Sequence, residues 1–251
     1  MAPRRFAALT IAALMIGCGG TESNTPERAA PGAEGGVHRV DGLAEAAADR
    51  AEAGSATVLF IGTSLTAGLG VPEAQSFPLL IERRIEEAGL PFDVVNAGVS
   101  GETSAGALRR IDWLLRQDFD VVVLETGAND MLRGIDPAST ERNIQAIVDR
   151  IREARPDAEI VLAGMLSLPN MGERYAREFE AVYPRVAERN GLHLVPFLLE
   201  GVGGVRELNQ DDGVHPNAEG HRIIAETVWQ VLEPVLTEAA ARKGDAPSPA
   251  R

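Results

Sequence analysis

From about residue 57 onward, short apolar runs alternate with longer amphipathic stretches along the chain. Four of the five apolar runs are almost continuously hydrophobic, which is typical of parallel strands covered on both faces of a sheet. The amphipathic stretches between the runs predict helices. The predicted strands are residues 57–61, 93–96, 121–125, 160–163 and 193–196, and the predicted helices are residues 77–88, 104–116, 139–154, 174–190 and 217–241.

This alternation of strands and helices predicts an α/β fold, a three-layer α/β/α sandwich with right-handed crossovers. In sheets of this kind, ligands bind at the carboxyl ends of the strands. Candidate functional residues should therefore come directly after predicted strands, within a domain that covers residues 57–241.

Composition agrees with one such domain, because 251 residues with 45% apolar and 24% charged side chains suffice for one α/β core plus tails. A net charge of −13 argues against nucleic acid as a partner and against attraction to anionic lipid headgroups. A solvated acidic surface that aids solubility explains the charge. With a single cysteine, the chain cannot form an intramolecular disulfide.

The N-terminal segment has the layout of a bacterial secretory signal. Arg4 and Arg5 precede an apolar run over residues 6–16, which is shorter than the ~20 residues that span a bilayer. Gly17 then stands directly before Cys18, as in a lipobox whose cysteine becomes the lipidated first residue of the mature protein. The alternative is a cleaved, unlipidated signal with an incidental cysteine at this position.

The segments around the domain follow from their composition. Residues 19–56 begin with a stretch rich in Gly, Pro, Ser, Thr and Glu and are predicted to form a flexible linker. Residues 242–251 contain two prolines and are predicted to be a disordered tail. With residues 1–18 as signal and lipobox, the protein is expected to be lipid-anchored in the bacterial cell envelope, facing the periplasm or the surface.

Four polar segments lie where the sheet predicts functional residues. They combine small residues with groups that can attack, transfer protons or donate hydrogen bonds. The segments are Gly62-Thr63-Ser64-Leu65-Thr66-Ala67-Gly68 after the first strand, Asn96-Ala97-Gly98-Val99-Ser100-Gly101 after the second, Thr126-Gly127-Ala128-Asn129-Asp130 after the third, and Asp211-Asp212-Gly213-Val214-His215-Pro216-Asn217 before the last helix.

These residue types match the needs of acyl transfer. A serine nucleophile such as Ser64 needs an imidazole to take its proton, and His215 can supply it. The imidazole needs a carboxylate to fix its tautomer, and Asp212 precedes His215 by three residues. The oxyanion needs hydrogen-bond donors, which backbone N–H groups at Ser64 and Gly98 and the Asn129 amide can provide.

Each segment alone also has a simpler explanation. Glycine, serine and threonine after a strand form common turns, and Asn129-Asp130 is another turn signal. Asp212 or Asn217 could cap the final helix, and an isolated histidine such as His215 is commonly a surface residue. The occurrence of all four segments at one predicted edge favours catalysis.

In these blocks the sequence resembles the SGNH/GDSL hydrolases. More narrowly, it is similar to the bacterial multifunctional acyl-CoA thioesterase, lysophospholipase and arylesterase subfamily. The resemblance covers roughly residues 58–233, and the segment from Gln210 to Asn217 is its most specific part. It implies a flavodoxin-like sandwich with a five-stranded parallel sheet.

The resemblance also implies a role for each site residue. Ser64 would be the nucleophile, His215 the base and then the acid, and Asp212 its orienting partner. The oxyanion hole would comprise the Ser64 and Gly98 N–H groups and the Asn129 side chain. The loop of residues 130–137 would shape the acyl groove, with Leu132 and Ile135 as candidate acyl contacts.

Thr63 departs from the family pattern, which usually has aspartate in Gly-Asp-Ser-Leu. The aspartate is not part of the triad, so its absence leaves the proton relay complete. It is expected to support the neighbouring backbone and the Asn129 block, and threonine can replace part of that support. A looser oxyanion hole and reduced activity are consequences to test.

Other polar groups give weaker signals. His38, His193 and His221 have no metal-ligand spacing with His215, and no phosphate-binding or dinucleotide motif is present. The sequence therefore predicts no metal and no cofactor. Glu102 and Glu125 also lie near the predicted edge, and we expect them to be solvated residues at the end of a helix or strand.

We therefore predict a serine esterase that hydrolyses carboxylic esters or thioesters through an acyl-enzyme on Ser64. Lysophospholipids, short acyl esters and aryl esters are the expected small-molecule or lipid substrates, because acyl-CoA is scarce outside the cytoplasm. A carbohydrate O-acetyl esterase is the alternative within the same chemistry. A catalytically weak lipoprotein that binds acyl groups or envelope partners is the alternative from a different class, with Thr63 as its main support.

Overall fold

The computed structural model describes residues 56–244 of the chain. The predicted signal and lipobox, the linker up to residue 55, and the tail from residue 245 lie outside the described residues. Cys18 and His38, for which the sequence made predictions, therefore also lie outside the described residues.

Five parallel strands form one sheet in the order β2-β1-β3-β4-β5. The strands are β1 (Ala56–Gly62), β2 (Phe92–Gly98), β3 (Val121–Glu125), β4 (Glu159–Ala163) and β5 (His193–Val195). This strand order is that of flavodoxin-like sheets, in which the chain reverses its direction of growth between β1 and β3. The predicted three-layer α/β/α fold with five parallel strands is confirmed.

Eight α-helices accompany the sheet within residues 56–244. They are α1 (Ser64–Ala67), α2 (Phe77–Glu87), α3 (Ser104–Leu114), α4 (Ala128–Leu132), α5 (Pro137–Ala154), α6 (Glu173–Glu180), α7 (Val182–Asn190) and α8 (Ala218–Gly244). Helices α2 and α8 pack against each other on one face of the sheet, and α3, α5 and α7 pack side by side on the other. Both faces are therefore covered, which explains why β1 and β3 are buried along their whole length.

The predicted helix over residues 174–190 is divided into α6 and α7. Pro184 is the third residue of α7 and has no N–H to donate to the carbonyl of Glu180 four residues earlier. The chain therefore ends α6 at Glu180 and begins a new helix at Val182, which places the proline in a first turn where no donor is needed.

Capping side chains explain where two other helices begin. Asp136 accepts a hydrogen bond from the N–H of Ala138, and α5 starts at Pro137, two residues before the prediction. Asn217 accepts hydrogen bonds from the N–H groups of Glu219 and Gly220 and caps α8. The capping alternative raised for Asn217 is thus correct, whereas the carboxylate of Asp212 contacts Val214 and His215 instead.

No helix among the described residues combines the length and the apolar character that a bilayer crossing requires. The core consists mainly of aliphatic side chains on the strands and on the facing helix surfaces. Because all five parallel strands point the same way, their carboxyl ends meet at one edge of the sheet. We call this edge, with the loops that follow each strand, the catalytic edge.

Candidate active site

Ser64 lies on a tight turn between β1 and α1. It is the first residue of α1, so its N–H has no partner within the helix and points outward from the helix end. Gly62 makes the turn possible, because a Cβ there would lie 1.9 Å from Oγ1 of Thr66. The side chain of Ser64 is mostly buried but reaches His215.

Ser64, His215 and Asp212 form a continuous chain of contacts. Oγ of Ser64 lies 3.0 Å from Nε2 of His215, and Nδ1 of His215 lies 2.6 Å from Oδ2 of Asp212. A carboxylate only accepts, so Nδ1 carries the proton and Nε2 of the neutral ring is left to accept from the serine hydroxyl. The arrangement can remove a proton from Ser64 and stabilise the charged imidazole that results.

Asp212 is held in its charged form by the turn it belongs to. Its Oδ1 accepts hydrogen bonds from the N–H groups of His215 at 3.0 Å and Val214 at 2.9 Å. These bonds, led by the one from the His215 backbone and joined by the contact with the His215 ring, lower the pKa of Asp212 to about 2. The carboxylate is therefore ionised at neutral pH.

Gln210 connects the histidine loop to the serine loop. Its Nε2 donates to the carbonyl oxygens of Leu69 at 2.7 Å and Pro216 at 2.9 Å. Gly70 lets the amide approach, because a Cβ at this position would lie 2.0 Å from Oε1 of Gln210. Sequence reasoning gave Gln210 no role, and its place at the start of the most specific segment was the only available signal.

Asn129 lies on α4, directly after β3, the strand that neighbours β1. Its Nδ2 donates one hydrogen bond to the carbonyl of Glu102 at 3.0 Å, which leaves a second N–H for a ligand. The turn before it depends on Gly127, which has φ of 102° and faces the hydroxyl of Tyr183. That hydroxyl donates a hydrogen bond to the carbonyl of Thr126 at 3.0 Å and so stabilises the turn.

Asp130 next to Asn129 has a structural role. It is fully buried, and its carboxylate accepts from the N–H of Ser104 at 2.8 Å and from the Ser104 hydroxyl at 2.5 Å. These bonds satisfy the first residue of α3 and tie α4 to that helix. The position of Asn129 is therefore fixed by its own hydrogen bond to Glu102 and by the bonds of Asp130 to Ser104.

The structure contradicts the prediction for Gly98. The N–H of Gly98 donates to Oδ1 of Asn96 at 3.0 Å, so it is already used within the protein. A Cβ on Gly98 would also lie 2.3 Å from the backbone nitrogen of Ala67, which shows that this glycine packs against α1. Close packing of two backbones therefore explains the glycine, and a substrate oxygen has no access to its N–H.

Gly101, three residues further on, has the properties expected at Gly98. It is exposed, has φ of 77°, and within the described residues its N–H has no hydrogen-bond partner. Its carbonyl accepts from Nη2 of Arg133 at 2.9 Å, which holds the loop. The sequence placed Gly101 in the candidate segment after β2, but the donor role was predicted for Gly98, because distance from the strand end cannot show which N–H is free.

Thr63 bonds to Glu125 at the end of β3. The N–H of Thr63 donates to Oε2 of Glu125 at 2.7 Å, and its hydroxyl lies 3.0 Å from both carboxyl oxygens. Thr66 of α1 adds a third donor at 2.9 Å. Burial raises the pKa of Glu125, and the hydrogen bonds from Thr63 and Thr66 oppose that rise.

The expectation that solvation explains Glu102 and Glu125 is therefore wrong for both residues. Glu125 is 1% exposed and clamps the turn that carries Ser64. Glu102 accepts from Nε and Nη2 of Arg110, and the same guanidinium donates to the carbonyl of Ala97 at 2.8 Å. Both carboxyl groups support loops of the catalytic edge, and a single sequence cannot reveal such pairs.

Within the described residues, four others named from the sequence make no hydrogen bond to the triad. Leu132 is exposed, and Ile135 is half-buried with its carbonyl accepting from the Tyr175 hydroxyl at 2.8 Å. His193 pairs with Glu159, and His221 is buried beside Phe77. Across residues 56–244, no group of three or more His, Cys, Asp or Glu side chains has a metal-binding arrangement.

Comparison with known proteins agrees with this geometry. The family described as "GDSL-like Lipase/Acylhydrolase family" matches residues 60–223. Esterase TesA of Pseudomonas aeruginosa is 40% identical over 186 residues, which cover 74% of this chain and 92% of that protein. Thioesterase 1/protease 1/lysophospholipase L1 of Escherichia coli strain K12 is 35% identical, covering 72% of this chain and 85% of that protein.

The fold agrees with a solved structure as well. The crystal structure of TesA superposes with a TM-score of 0.69 at 40% identity, covering 71% of this chain and 99% of that one. The two chains therefore share one fold over most of their length.

Proposed function

Because this chain belongs to the GDSL-like lipase/acylhydrolase family and is a carboxylic ester hydrolase, we propose that Ser64 is its nucleophile, His215 its base and Asp212 the orienting carboxylate. The observation that carries the proposal is the unbroken chain of contacts from Ser64 Oγ through the His215 ring to Asp212. No cofactor is required for this chemistry.

Acylation begins when Oγ of Ser64 attacks the carbonyl carbon of an ester or thioester. Nε2 of His215 takes the hydroxyl proton as the new C–O bond forms, and the carbonyl oxygen becomes an oxyanion. When the tetrahedral intermediate collapses, the bond to the leaving alcohol or thiol breaks. His215 gives its proton to that leaving group, and an acyl ester on Ser64 remains.

Deacylation repeats these steps with water as the nucleophile. Nε2 of His215 takes one proton from the water, whose oxygen attacks the acyl carbon. The second tetrahedral intermediate releases the carboxylic acid, and the proton on His215 returns to Oγ of Ser64. Asp212 stays ionised throughout, since the hydrogen bonds from the His215 backbone and ring lower its pKa to about 2.

We assign the oxyanion hole to the N–H of Ser64, the free N–H of the Asn129 amide and the N–H of Gly101. Gly101 takes the place first predicted for Gly98, because the Gly98 N–H is bonded to Asn96. Removing one oxyanion donor typically lowers kcat by about 10²–10³-fold. We therefore expect a loss of this size in Asn129→Ala, with a smaller effect on KM.

The substrates we propose are lysophospholipids, short acyl esters and aryl esters. The names of the relatives include esterase, thioesterase and lysophospholipase activities, all of which break an acyl bond to oxygen or sulfur. Exposed apolar side chains at the catalytic edge, Leu132 among them, are suited to contact an acyl chain.

The test is hydrolysis of p-nitrophenyl esters from acetyl to palmitoyl by the full chain carrying Cys18→Ala. Ser64→Ala is compared with Ser100→Ala, which removes an exposed serine from the neighbouring loop after β2. We expect Ser64→Ala to abolish turnover and Ser100→Ala to retain it. Retained turnover in Ser64→Ala would contradict the assignment of the nucleophile.

We further propose that Cys18 carries a lipid anchor and that the protein resides in the bacterial cell envelope. The support is the sequence alone, in which Arg4 and Arg5, the apolar run of residues 6–16 and Gly17 precede the cysteine. Expression of the full chain with radiolabelled palmitate should label the parent but not Cys18→Ala. Unlabelled parent protein found free in the periplasm would instead support a cleaved signal without lipidation.

A further inference from the structure

Exposed apolar side chains are distributed unequally over the two edges of the sheet. Eight large hydrophobic residues within residues 56–244 are exposed, and seven of them lie in loops or short helices of the catalytic edge. Each of the five segments that follow a strand contributes at least one. The seven are Leu69 after β1, Val99 after β2, Leu132 after β3, Leu166 and Leu168 after β4, and Val205 and Val214 after β5. We call these seven side chains the apolar rim.

The eighth exposed residue, Trp113, is not part of the apolar rim. It lies in the last turn of α3, a helix that starts at the catalytic edge and runs back to the opposite edge of the sheet. The loops at that opposite edge expose no other large hydrophobic side chain within the described part of the chain. Single exposed apolar residues are ordinary, whereas a set confined to one edge indicates an interaction site.

The apolar rim is wider than one acyl chain needs. Five strands spaced by about 4.8 Å place the loops after β2 and β5 about 19 Å apart. A bound acyl chain can cover part of this width, beside Ser64 and Asn129. Leu166 and Leu168 follow β4, which is separated from β1 by β3, and so lie to one side of Ser64.

The position of the rim restricts what can cover it. The same edge of the sheet carries Ser64, Asn129 and His215, so a protein bound across the rim would block the access of substrate to the nucleophile. A lipid surface would instead present ester substrate to the nucleophile. The net charge of −13 disfavours an anionic surface, whereas Arg133 and Arg206, both exposed beside Leu132 and Val205, suit the phosphates of zwitterionic headgroups.

The chain before β1 permits this orientation. β1 starts at the edge opposite the apolar rim, so a short anchor at Ala56 would hold the rim away from a membrane. Residues 19–55, between the proposed lipid site and β1, could reach about 120 Å if fully extended. That reach exceeds the size of the domain, so the catalytic edge can turn toward the same bilayer.

We propose that the apolar rim docks the enzyme on a zwitterionic phospholipid surface, so that lipid esters reach Ser64 from the membrane. The proposal rests on the proposed esterase function of the same edge. It adds a partner, the lipid–water interface, and assigns Leu166 and Leu168 to contact with that interface.

The experiment compares the full chain with its variants, all carrying Cys18→Ala so that no acyl anchor contributes. Leu166→Ser/Leu168→Ser removes two rim side chains that follow β4, and Trp113→Ser removes one apolar side chain from the opposite edge. Binding to phosphatidylcholine vesicles, hydrolysis of p-nitrophenyl laurate within those vesicles and hydrolysis of soluble p-nitrophenyl acetate are measured for each protein.

We expect the double variant to bind vesicles about tenfold more weakly, because two apolar side chains leave the interface. Turnover of vesicle-borne laurate should fall in parallel, and turnover of soluble acetate should stay at the parent level. Trp113→Ser should match the parent in all three measurements, and anionic phosphatidylglycerol should not strengthen binding.

Other outcomes overturn the proposal. Unchanged vesicle binding in the double variant, or an equal loss in Trp113→Ser, would show that the rim does not dock. Loss of acetate turnover in the double variant would assign these side chains to support of the catalytic loops. A parent that binds vesicles but hydrolyses no ester would overturn the esterase function and leave the docking surface in place.

Discussion

Two neighbouring aspartates, Asp211 and Asp212, differ sharply in their contacts. Asp212 binds the His215 ring and two backbone N–H groups of its own turn, whereas Asp211 is exposed and makes no contact with His215. Asp212→Asn removes the charge that fixes the imidazole tautomer. We expect kcat to fall by about 10²–10⁴-fold in Asp212→Asn.

Asp211→Asn is the matched control, since it removes one negative charge from the same loop. Its kcat for p-nitrophenyl acetate should stay within about twofold of the parent, because it leaves the relay intact. Equal losses in the two variants would mean that the loop's overall charge matters and not the specific contact of Asp212.

Thr63 contributes through its hydroxyl and its N–H, both of which bind the buried carboxyl group of Glu125. Thr63→Val keeps the shape and loses the hydroxyl, which should lower the free energy of unfolding by about 1–3 kcal/mol. It should also lower kcat, because the N–H of the next residue belongs to the proposed oxyanion hole. Urea unfolding and kcat on p-nitrophenyl acetate measure the two effects.

Thr63→Ser retains the hydroxyl and should remain close to the parent in both measurements. If stability and kcat fall as far in the serine variant as in the valine variant, packing of the threonine methyl group supports this turn, and the hydrogen bond to Glu125 does not. The pair therefore separates packing from hydrogen bonding at the one position where the chain departs from Gly-Asp-Ser-Leu.

Helices α2 and α8 meet at His221, which is 1% exposed. Nδ1 of His221 accepts from the N–H of Phe77 at 3.3 Å, and its ring stacks on Phe77 with centroids 6.3 Å apart. This bond satisfies the first N–H of α2, and it requires an unprotonated nitrogen. Burial, together with the charge of His215, lowers the pKa of His221 to about 4.

This helix contact should make stability depend on pH. The folded protein keeps His221 neutral down to about pH 4, whereas the unfolded chain takes up the proton near its ordinary pKa of about 6.5. Between these values the unfolded state binds more protons, so acidification favours unfolding. Neutral His221 makes its full contribution to stability above about pH 6.5. As the pH falls to 4, the free energy of unfolding decreases by up to about 3 kcal/mol.

His221→Gln checks this prediction, because an amide oxygen can accept the same hydrogen bond without titrating. Urea unfolding of the parent and the variant is measured at about pH 7 and about pH 4.5. The free energy of unfolding should decrease less between these two pH values in the variant than in the parent. An identical decrease in both proteins would show that carboxyl groups elsewhere account for the acid sensitivity.

At the scale of the whole molecule, the excess of acidic residues opposes compaction. The net charge of −13 implies self-repulsion that salt screens over a Debye length of about 10 Å at 0.1 M. Raising NaCl from about 0.02 M to about 0.5 M should therefore raise the melting temperature. Sorbitol controls for solvent effects, and a decrease with salt would show that surface ion pairs such as Arg84–Glu226 dominate.

The sequence by itself determined the fold class, because buried parallel strands must be hydrophobic on both faces and the helices between them amphipathic. Ser64, Asp212, His215 and Asn129 were also visible in the sequence, since each is a distinct chemical type at a strand end or a helix start. The break between α6 and α7 was encoded as well, because a proline without an N–H acts locally.

Only the tertiary structure decided which backbone groups are free and which carboxyl groups are paired. Gly98 and Gly101 are alike as sequence, yet one N–H bonds to Asn96 and the other is open. Glu125 looked like a solvated strand end until β1 and β3 brought it against Thr63, 62 residues earlier. The physical reason is that hydrogen-bond satisfaction and burial depend on contacts between distant segments, which residue type and local spacing do not specify.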